Sequence, residues 1–343
     1  MDAGAVVKVV VVGGTGNIST SIVRVLVEQG HDVTCVNRGV TADARYGVRT
    51  ITVDRRDTER FESAVRAGGF DAAIDMIAFT PDDVRSSLRA FRDVGHVIHT
   101  STVTVLGETF DWLPVTEDHP VRPTVPYASA KAEAERLYLE AHYVSGFPVT
   151  IMRPSTTYGP KRALRQIGID DTWVTRIRTG KPLLKVGDGR ATHHLLHVDD
   201  AALAFAGALG RERCIGQTYH LVHPTHTTWE EFHKAMMRVL GREVDQVGVP
   251  SDVLEAIDPQ RFLFATKVFA HNMLFSADKI LRDIPEFAPR VSVEEGLAGT
   301  VEHLDAHGLG AETDDLEDRI IAAQRDVARV AASGAGAFSE GMT

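Results

Sequence analysis

The sequence predicts an α/β fold, a doubly wound parallel sheet followed by a smaller C-terminal domain, and three observations carry that prediction. Short β-branched runs alternate with segments of helical periodicity through the first ~150 residues, the pattern of βαβ units. The first run ends in a glycine cluster that opens a helix. The length, 343 residues, suits two lobes at ~150 residues per domain. Hydrophobic residues make up 43% and charged residues 24%, close to soluble globular averages, which excludes a disordered or fibrous chain.

Val6 to Val12 is apolar except for Lys8, as expected of a strand buried on both faces. Gly13-Gly14-Thr15-Gly16 ends it, and Ile18 to Glu28 places Ile18, Ile22, Val25 and Leu26 on one helical face before stopping ahead of Gly30. His31 to Asn37, Val48 to Asp54, Asp71 to Ile77 and Gly95 to Ser101 read as further strands, with helices over Asp57 to Ala67 and Pro81 to Phe91. Regularity weakens after Ile151, and between Tyr158 and Lys185 the chain is expected to leave the sheet. The predicted division is 1–157, then 158–310 with some segments returning to the first domain, then 311–343 as a helix and a disordered tail. Within these, Thr228 and Glu231 form a capping-box pattern ahead of Phe232 to Leu240. Leu316, Ile320, Ala323, Val327 and Val330 recur at helical spacing. Gly308 to Thr313 shows no periodicity, and the small, polar residues 332–341 are expected to be disordered.

Charge narrows the partners. The net charge is −10, from 37 Lys+Arg against 47 Asp+Glu, which argues against nucleic acid and against an anionic membrane surface. The two cysteines, Cys35 and Cys214, make neither a disulfide framework nor a metal knuckle, so a reducing, cytoplasmic compartment is expected. The N-terminus lacks the basic start and long apolar middle of a signal peptide. No run approaches the ~20 apolar residues of a membrane span.

The glycine cluster sits where a dinucleotide pyrophosphate binds in a βαβ unit: after a strand, at the start of a helix. Gly13, Gly16, Asn17 and Ile18 are therefore candidate cofactor residues of a Rossmann-like domain, with Ser19 at the third small position. About 20 residues on, where an acid commonly meets the adenosine ribose, stand Asn37 and Arg38. Arg attracts a 2′-phosphate that Asp would repel, which favours NADP modestly over NAD. Tyr127 and Lys131 lie four apart, on one face of a helix that Pro126 introduces. A neighbouring ammonium favours phenolate and makes the tyrosine a proton donor and acceptor. Thr102 lies just past the fifth strand, at the sheet edge where ligands bind.

With VVGGTGNIS, ITVDRRD, HTSTVTVLG, PYASAKAEAE, IMRPSTTYGP and VGDGRATHHLLHVDDAALAF in place, the chain resembles the extended short-chain dehydrogenase/reductase family, the NAD-dependent epimerase/dehydratase group, over about residues 6 to 305. The resemblance implies a catalytic triad of Thr102, Tyr127 and Lys131, with Asp54 and Arg55 flanking the adenine. It also implies that Ile77 and Ala78 line the cofactor groove and that Pro154 and Ser155 lie near the nicotinamide. It implies a homodimer through the Tyr127 helix and the helix over Pro81 to Phe91. Members that dehydrate sugars carry an Asp-Glu pair after the catalytic Ser/Thr; Val103 and Thr104 stand there, which disfavours a 4,6-dehydratase and a decarboxylating enzyme. What remains is a sugar or nucleotide-sugar epimerase working through a transient ketone, or a ketoreductase on a small anionic substrate.

Two positions usual in nucleotide-sugar enzymes are changed, to Thr156 and His193. Residues 161–190 nevertheless carry eight basic and three acidic side chains. Arg176 and Arg178 are candidate anion ligands there, with Thr104, Thr156 and His193 as further substrate contacts. The triplets His193, His194, His197 and His220, His223, His226 have spacings that zinc tolerates. The resemblance accounts for the first as a strand leading into a helix at Asp199-Asp200, and no metal is expected. A nonenzymatic alternative comes from relatives that keep the groove but serve as RNA-associated proteins with a strand ending like Asn37-Arg38-Gly39.

Overall fold

The computed structural model describes residues 6–40, 45–307 and 315–339. The chain forms two compact units that interleave along the sequence. One comprises Met1–Lys161, His194–His226 and Leu274–Val291, the other Arg162–His193, Thr227–Met273 and Ser292–Thr343. The first division thus falls a few residues beyond the expected one.

The first unit is built on β1 (Lys8–Val12), α1 (Asn17–Glu28), β2 (Asp32–Asn37), β3 (Arg49–Thr52), α2 (Thr58–Gly68), β4 (Ala72–Asp75), α3 (Pro81–Ala90), β5 (His96–Thr100), α4 (Pro126–Ser145) and β6 (Val149–Pro154). A seventh strand, Thr218–Leu221, lies beyond β6, and the sheet runs β3-β2-β1-β4-β5-β6 and then that strand, all parallel. The order reverses between β1 and β4, which leaves a crevice outside their carboxyl ends. Val9 to Val12 and Ala72 to Ile74 are fully buried because helices cover both faces.

Local chemistry sets the helix starts around that crevice. Ser19 Oγ accepts from the Gly16 amide at 2.8 Å and donates to the Gly13 carbonyl at 2.7 Å, so it closes the glycine loop as well as filling a small space. Thr80 and Asp83 form a reciprocal capping box with Pro81 at the first turn of α3. Pro126 opens α4, and Gly146 in the left-handed region closes it. β4 stops at Asp75, two residues short of the expected Ile77. Asp75 Oδ1 accepts from the Ile77 amide at 3.1 Å and turns the chain out of the strand.

The second unit uses short strand pairs, Leu183–Val186 with Gln246–Val249 and Thr192–His193 with Thr227–Thr228. Its core gathers Leu184, Val186, Val249, Leu254 and Phe262 with Ile320 and Ile321 of the helix Asp315–Ser339. Thr228 caps the helix Trp229–Leu240 through the Glu231 amide, as expected. The last helix continues to Ser339, through most of the stretch read as a disordered tail. Residues 308–314 and 340–343 lie outside the described residues. Among the described residues no helix is long and apolar enough to cross a membrane.

Glu317 holds that last helix down. It is 3% exposed, accepts from Arg165 at 2.8 Å and the Leu184 amide at 3.0 Å, and pairs with Arg176 at 3.3 Å. Removing one partner of a buried ion pair leaves a bare charge, which costs about 3–5 kcal/mol. Glu317→Ala should lower the unfolding free energy of the second unit by that amount in urea, followed by Trp173 and Trp229 emission. A loss below ~1 kcal/mol would show that these ion pairs hold nothing.

Candidate functional site

The crevice begins at the glycine loop. Gly13 has φ +84°, and a Cβ there would lie 2.7 Å from Ile77 Cγ2; at Gly14 it would meet Cys35 Sγ at 2.5 Å. No larger residue fits this approach. Asn17, the first residue of α1, buries both atoms of its side-chain amide with no hydrogen-bond partner among the described residues. Beside the loop lies a cavity of about 570 Å³, lined by Asn37 and Arg38 at the end of β2, Asp54, Arg55 and Arg56 after β3, and Ile77 and Phe79 after β4. An orphaned amide at a helix start, a loop that only glycine allows and a cavity of this size fit the pyrophosphate and adenosine of a dinucleotide.

Neither Arg38 nor Arg56 makes an ion pair among the described residues. Arg55 is different. The resemblance sets it beside the adenine, yet its guanidinium is committed to Asp75 at 2.9 Å, Asp83 at 3.1 Å and Ser87 at 2.9 Å. It forms a wall of the cavity and has no free fork to offer a ligand.

The other end of the crevice is organised by Lys131. Its ammonium is buried and donates to the carbonyls of Thr100 at 2.7 Å and Ala78 at 3.0 Å, which follow or end β5 and β4. The Phe79 ring lies 4.3 Å from the ammonium, a cation–π contact, and 6.3 Å from the Tyr127 ring. Burial pulls the Lys131 pKa from 10.5 down to about 8, against the attraction of Asp75. Tyr127, one turn earlier on α4, is 39% exposed, whereas Lys131 is buried. Thr102 is two residues past β5; its hydroxyl meets that of Thr104 at 3.0 Å, so these two share one local bond. Segment Ile77–Phe79 therefore touches the glycine loop, the cavity and the Tyr127–Lys131 pair.

Pro154 ends β6, and Ser155 donates its hydroxyl to the His194 carbonyl at 2.8 Å. Thr156 begins a strand paired with Leu195–His197. The expected anion ligands need correction. Arg176 is wholly buried and bound to Asp318 at 2.7 Å and Glu317, and Arg178 forks onto Asp305 at 2.8 and 2.9 Å. Lys181 and Lys185 pair with Asp318 and Glu230. The basic run is thus largely neutralised by carboxylates distant in sequence. His193 is 2% exposed, against Trp229 at 5.1 Å and Phe269 at 5.7 Å, where it meets aromatic rings and cannot stand in for an anion-binding arginine. His194 Nδ1 faces the His223 carbonyl at 2.6 Å while Nε2 accepts from the Phe275 amide, a neutral tautomer that burial favours. His197 Nδ1 caps a helix at Asp199.

Sequence reading missed Phe79, Arg56 and Asp75. An aromatic side chain just before the Thr80 cap and a carboxylate ending an otherwise apolar strand were the available signals.

The model of the NAD dependent epimerase/dehydratase family matches residues 9–221, more than half of the chain. The 2'-dehydrokanamycin reductase of Streptomyces kanamyceticus is 28% identical over 329 residues, covering 92% of this chain and 91% of its own. The chloroplast stem-loop binding protein of 41 kDa b of Arabidopsis thaliana is 25% identical, covering 84% and 77%. The structure of a UDP-glucose 4-epimerase from Thermotoga maritima aligns with a TM-score of 0.72 at 20% identity, covering 88% of this chain and 99% of that one, and so shares its fold.

A lysine whose folded pKa is depressed leaves the unfolded chain with more bound protons between pH 8 and 10.5, so stability rises with pH in that window. Compared with Lys131→Met, the natural chain should gain up to ~1.4 kcal/mol per pH unit there, measured by urea titrations. Parallel curves would contradict a buried, protonated Lys131.

Proposed function

This chain belongs to the NAD dependent epimerase/dehydratase family, and from that premise we propose that it is an oxidoreductase that interconverts a ketone and an alcohol on a small sugar-like molecule. The observation that carries the reading is the Lys131 ammonium, held on two strand-end carbonyls one helical turn beneath the partly exposed Tyr127.

The glycine loop with Asn17 and Ile18 would hold the pyrophosphate, and the cavity beside Asn37, Arg38 and Asp54 the adenosine. When bound, the nicotinamide supplies or accepts a hydride at the substrate carbon. Tyr127 gives its phenolic proton to the ketone oxygen in reduction and takes it back in oxidation. Lys131 makes that exchange easier, because its charge favours the phenolate. Thr102, at the sheet edge, orients the same oxygen. With Val103 and Thr104 following it, the site has no acid–base pair for expelling water, which speaks against dehydration.

Reduction is favoured over work on a nucleotide sugar by the engaged arginines. Arg176 and Arg178 already bind carboxylates, so the anionic substrate read from the basic run loses its support. The Streptomyces relative, alike over nearly its whole length, is itself a reductase. Epimerisation is the second reading: Tyr127 would take the alcohol proton and return it after a transient ketone has turned over, the hydride removed from the carbinol carbon coming back to its other face. We further read the protein as a homodimer through α3 and α4, which the family resemblance implies, and as cytoplasmic from its cysteine usage. Its two buried cysteines, Cys35 and Cys214, form no disulfide, which suits that compartment.

Steady-state assays of NADPH oxidation over a panel of keto-sugars test the proposal. Tyr127→Phe should lower turnover ~10²–10⁴-fold with dinucleotide affinity little changed; an undiminished rate would remove Tyr127 from the chemistry. Isomer exchange without added cofactor or net redox change would select the epimerase instead. Arg38 and Arg56, unpaired at the adenosine end, support an NADP preference. Either Arg→Ala change should weaken NADPH about tenfold, the loss of one charge-assisted hydrogen bond, and spare NADH. Equal or tighter binding of NADH by the natural chain would overturn the preference.

A further inference from the structure

At the end of β4 the protein buries a carboxylate completely. Asp75 Oδ1 accepts from the Arg55 guanidinium at 2.9 Å and the Ile77 amide at 3.1 Å. Oδ2 accepts from the Ser87 hydroxyl at 2.6 Å and the Tyr138 hydroxyl at 3.4 Å. Burial favours the neutral acid, but Arg55 and these hydrogen bonds outweigh it and hold the carboxyl below the usual carboxylate range. The residue is thus a fixed buried anion.

Its partners lead to both ends of the crevice. Arg55 walls the adenosine cavity. Ile77 lies against Gly13 and immediately precedes Ala78, whose carbonyl receives Lys131. Tyr138 lies about two turns beyond Lys131 on α4. Lys131 itself makes no ion pair among the described residues. The charged and titratable groups that face it are Asp75 from β4, Arg55 from the turn after β3, Asp83 from α3, and Tyr127 and Glu135 from α4, with Glu135 already held by Arg153 at 2.6 Å. His99 from β5, kept neutral by burial, stacks on Tyr138 at 4.7 Å.

We propose that Asp75 is a positioning residue for the Tyr127–Lys131 pair: it fixes the Ile77–Ala78 turn on which the Lys131 ammonium hangs and supplies the buried negative charge that keeps that ammonium protonated. Through Arg55 the same carboxylate ties this pair to the wall of the adenosine cavity. The inference rests on the roles given above to Lys131 and Tyr127, and its test needs no substrate.

Asp75→Asn keeps an acceptor for Arg55 and Ile77 while removing the charge. Lys131, labelled as ¹³C-lysine and assigned against Lys131→Met, is titrated by NMR. From about 8 in the natural chain, its pKa should fall by about one unit in Asp75→Asn. A merely structural role would loosen the packing, admit water and move the titration upward. No shift, or an upward one, would overturn the proposal. Should Asp75→Asn fail to fold because Arg55 is left in excess, Arg55→Met is compared with Arg55→Met/Asp75→Asn. The double variant should titrate lower by a similar amount, and equality would overturn the proposal. ADP-ribose, titrated into the natural chain by calorimetry, separates this claim from the cofactor reading. Absence of binding would sink the cofactor reading, and the Lys131 titration would still decide the role of Asp75.

Discussion

A buried ammonium must be surrounded by oxygen, and here the oxygens are main-chain carbonyls at the ends of two neighbouring strands. Lys131 donates to Ala78 and Thr100, so its position depends on where β4 and β5 stop. β5 stops at Thr100, ahead of Thr102 and the short helical turn that follows it. β4 stops because the Asp75 side chain captures the Ile77 amide. Every other feature of the crevice is referred to that stop: Ile77 against Gly13, Phe79 between the cavity and the Tyr127–Lys131 pair, and Arg55 along the cavity wall.

What could be read in the sequence was what local spacing fixes. The strands and helices of the sheet domain follow from period and from glycine, proline and cap residues, and the structure moves their ends by at most two residues. Tyr127 and Lys131 share a face because four residues make one turn of a helix that Pro126 starts. What could not be read was whatever depends on partners far along the chain. Ser19 reads in the sequence only as the third small position of the loop, whereas its hydroxyl closes that loop. Arg55 looked available to a ligand because Asp75 and Asp83 lie 20 and more residues away. Arg176 and Arg178 looked like an anion site because a local charge count takes no account of Glu317, Asp318 and Asp305.

Those pairings change the chemical outlook of the protein. Much of the basic run between residues 161 and 190 is structural: Arg165, Arg176 and Lys181 hold Glu317 and Asp318 of the last helix, and Arg178 holds Asp305. Among the described residues Arg38 and Arg56 line the cavity without an ion pair. On the proposed reading, charge selection bears on the cofactor, and the reacting end is left to Tyr127, the buried Lys131 and the Thr102 and Thr104 hydroxyls. Such a site suits proton exchange on an uncharged ketone or alcohol.

The most direct test of this account is a crystal structure of the protein grown with NADPH. The account predicts the adenosine in the cavity beside Arg38 and Arg56, the pyrophosphate on the glycine loop with Asn17 engaged, and the nicotinamide ribose in hydrogen-bond contact with Lys131 and Tyr127. A dinucleotide bound away from Lys131, or a crevice still empty at saturating NADPH, would contradict it.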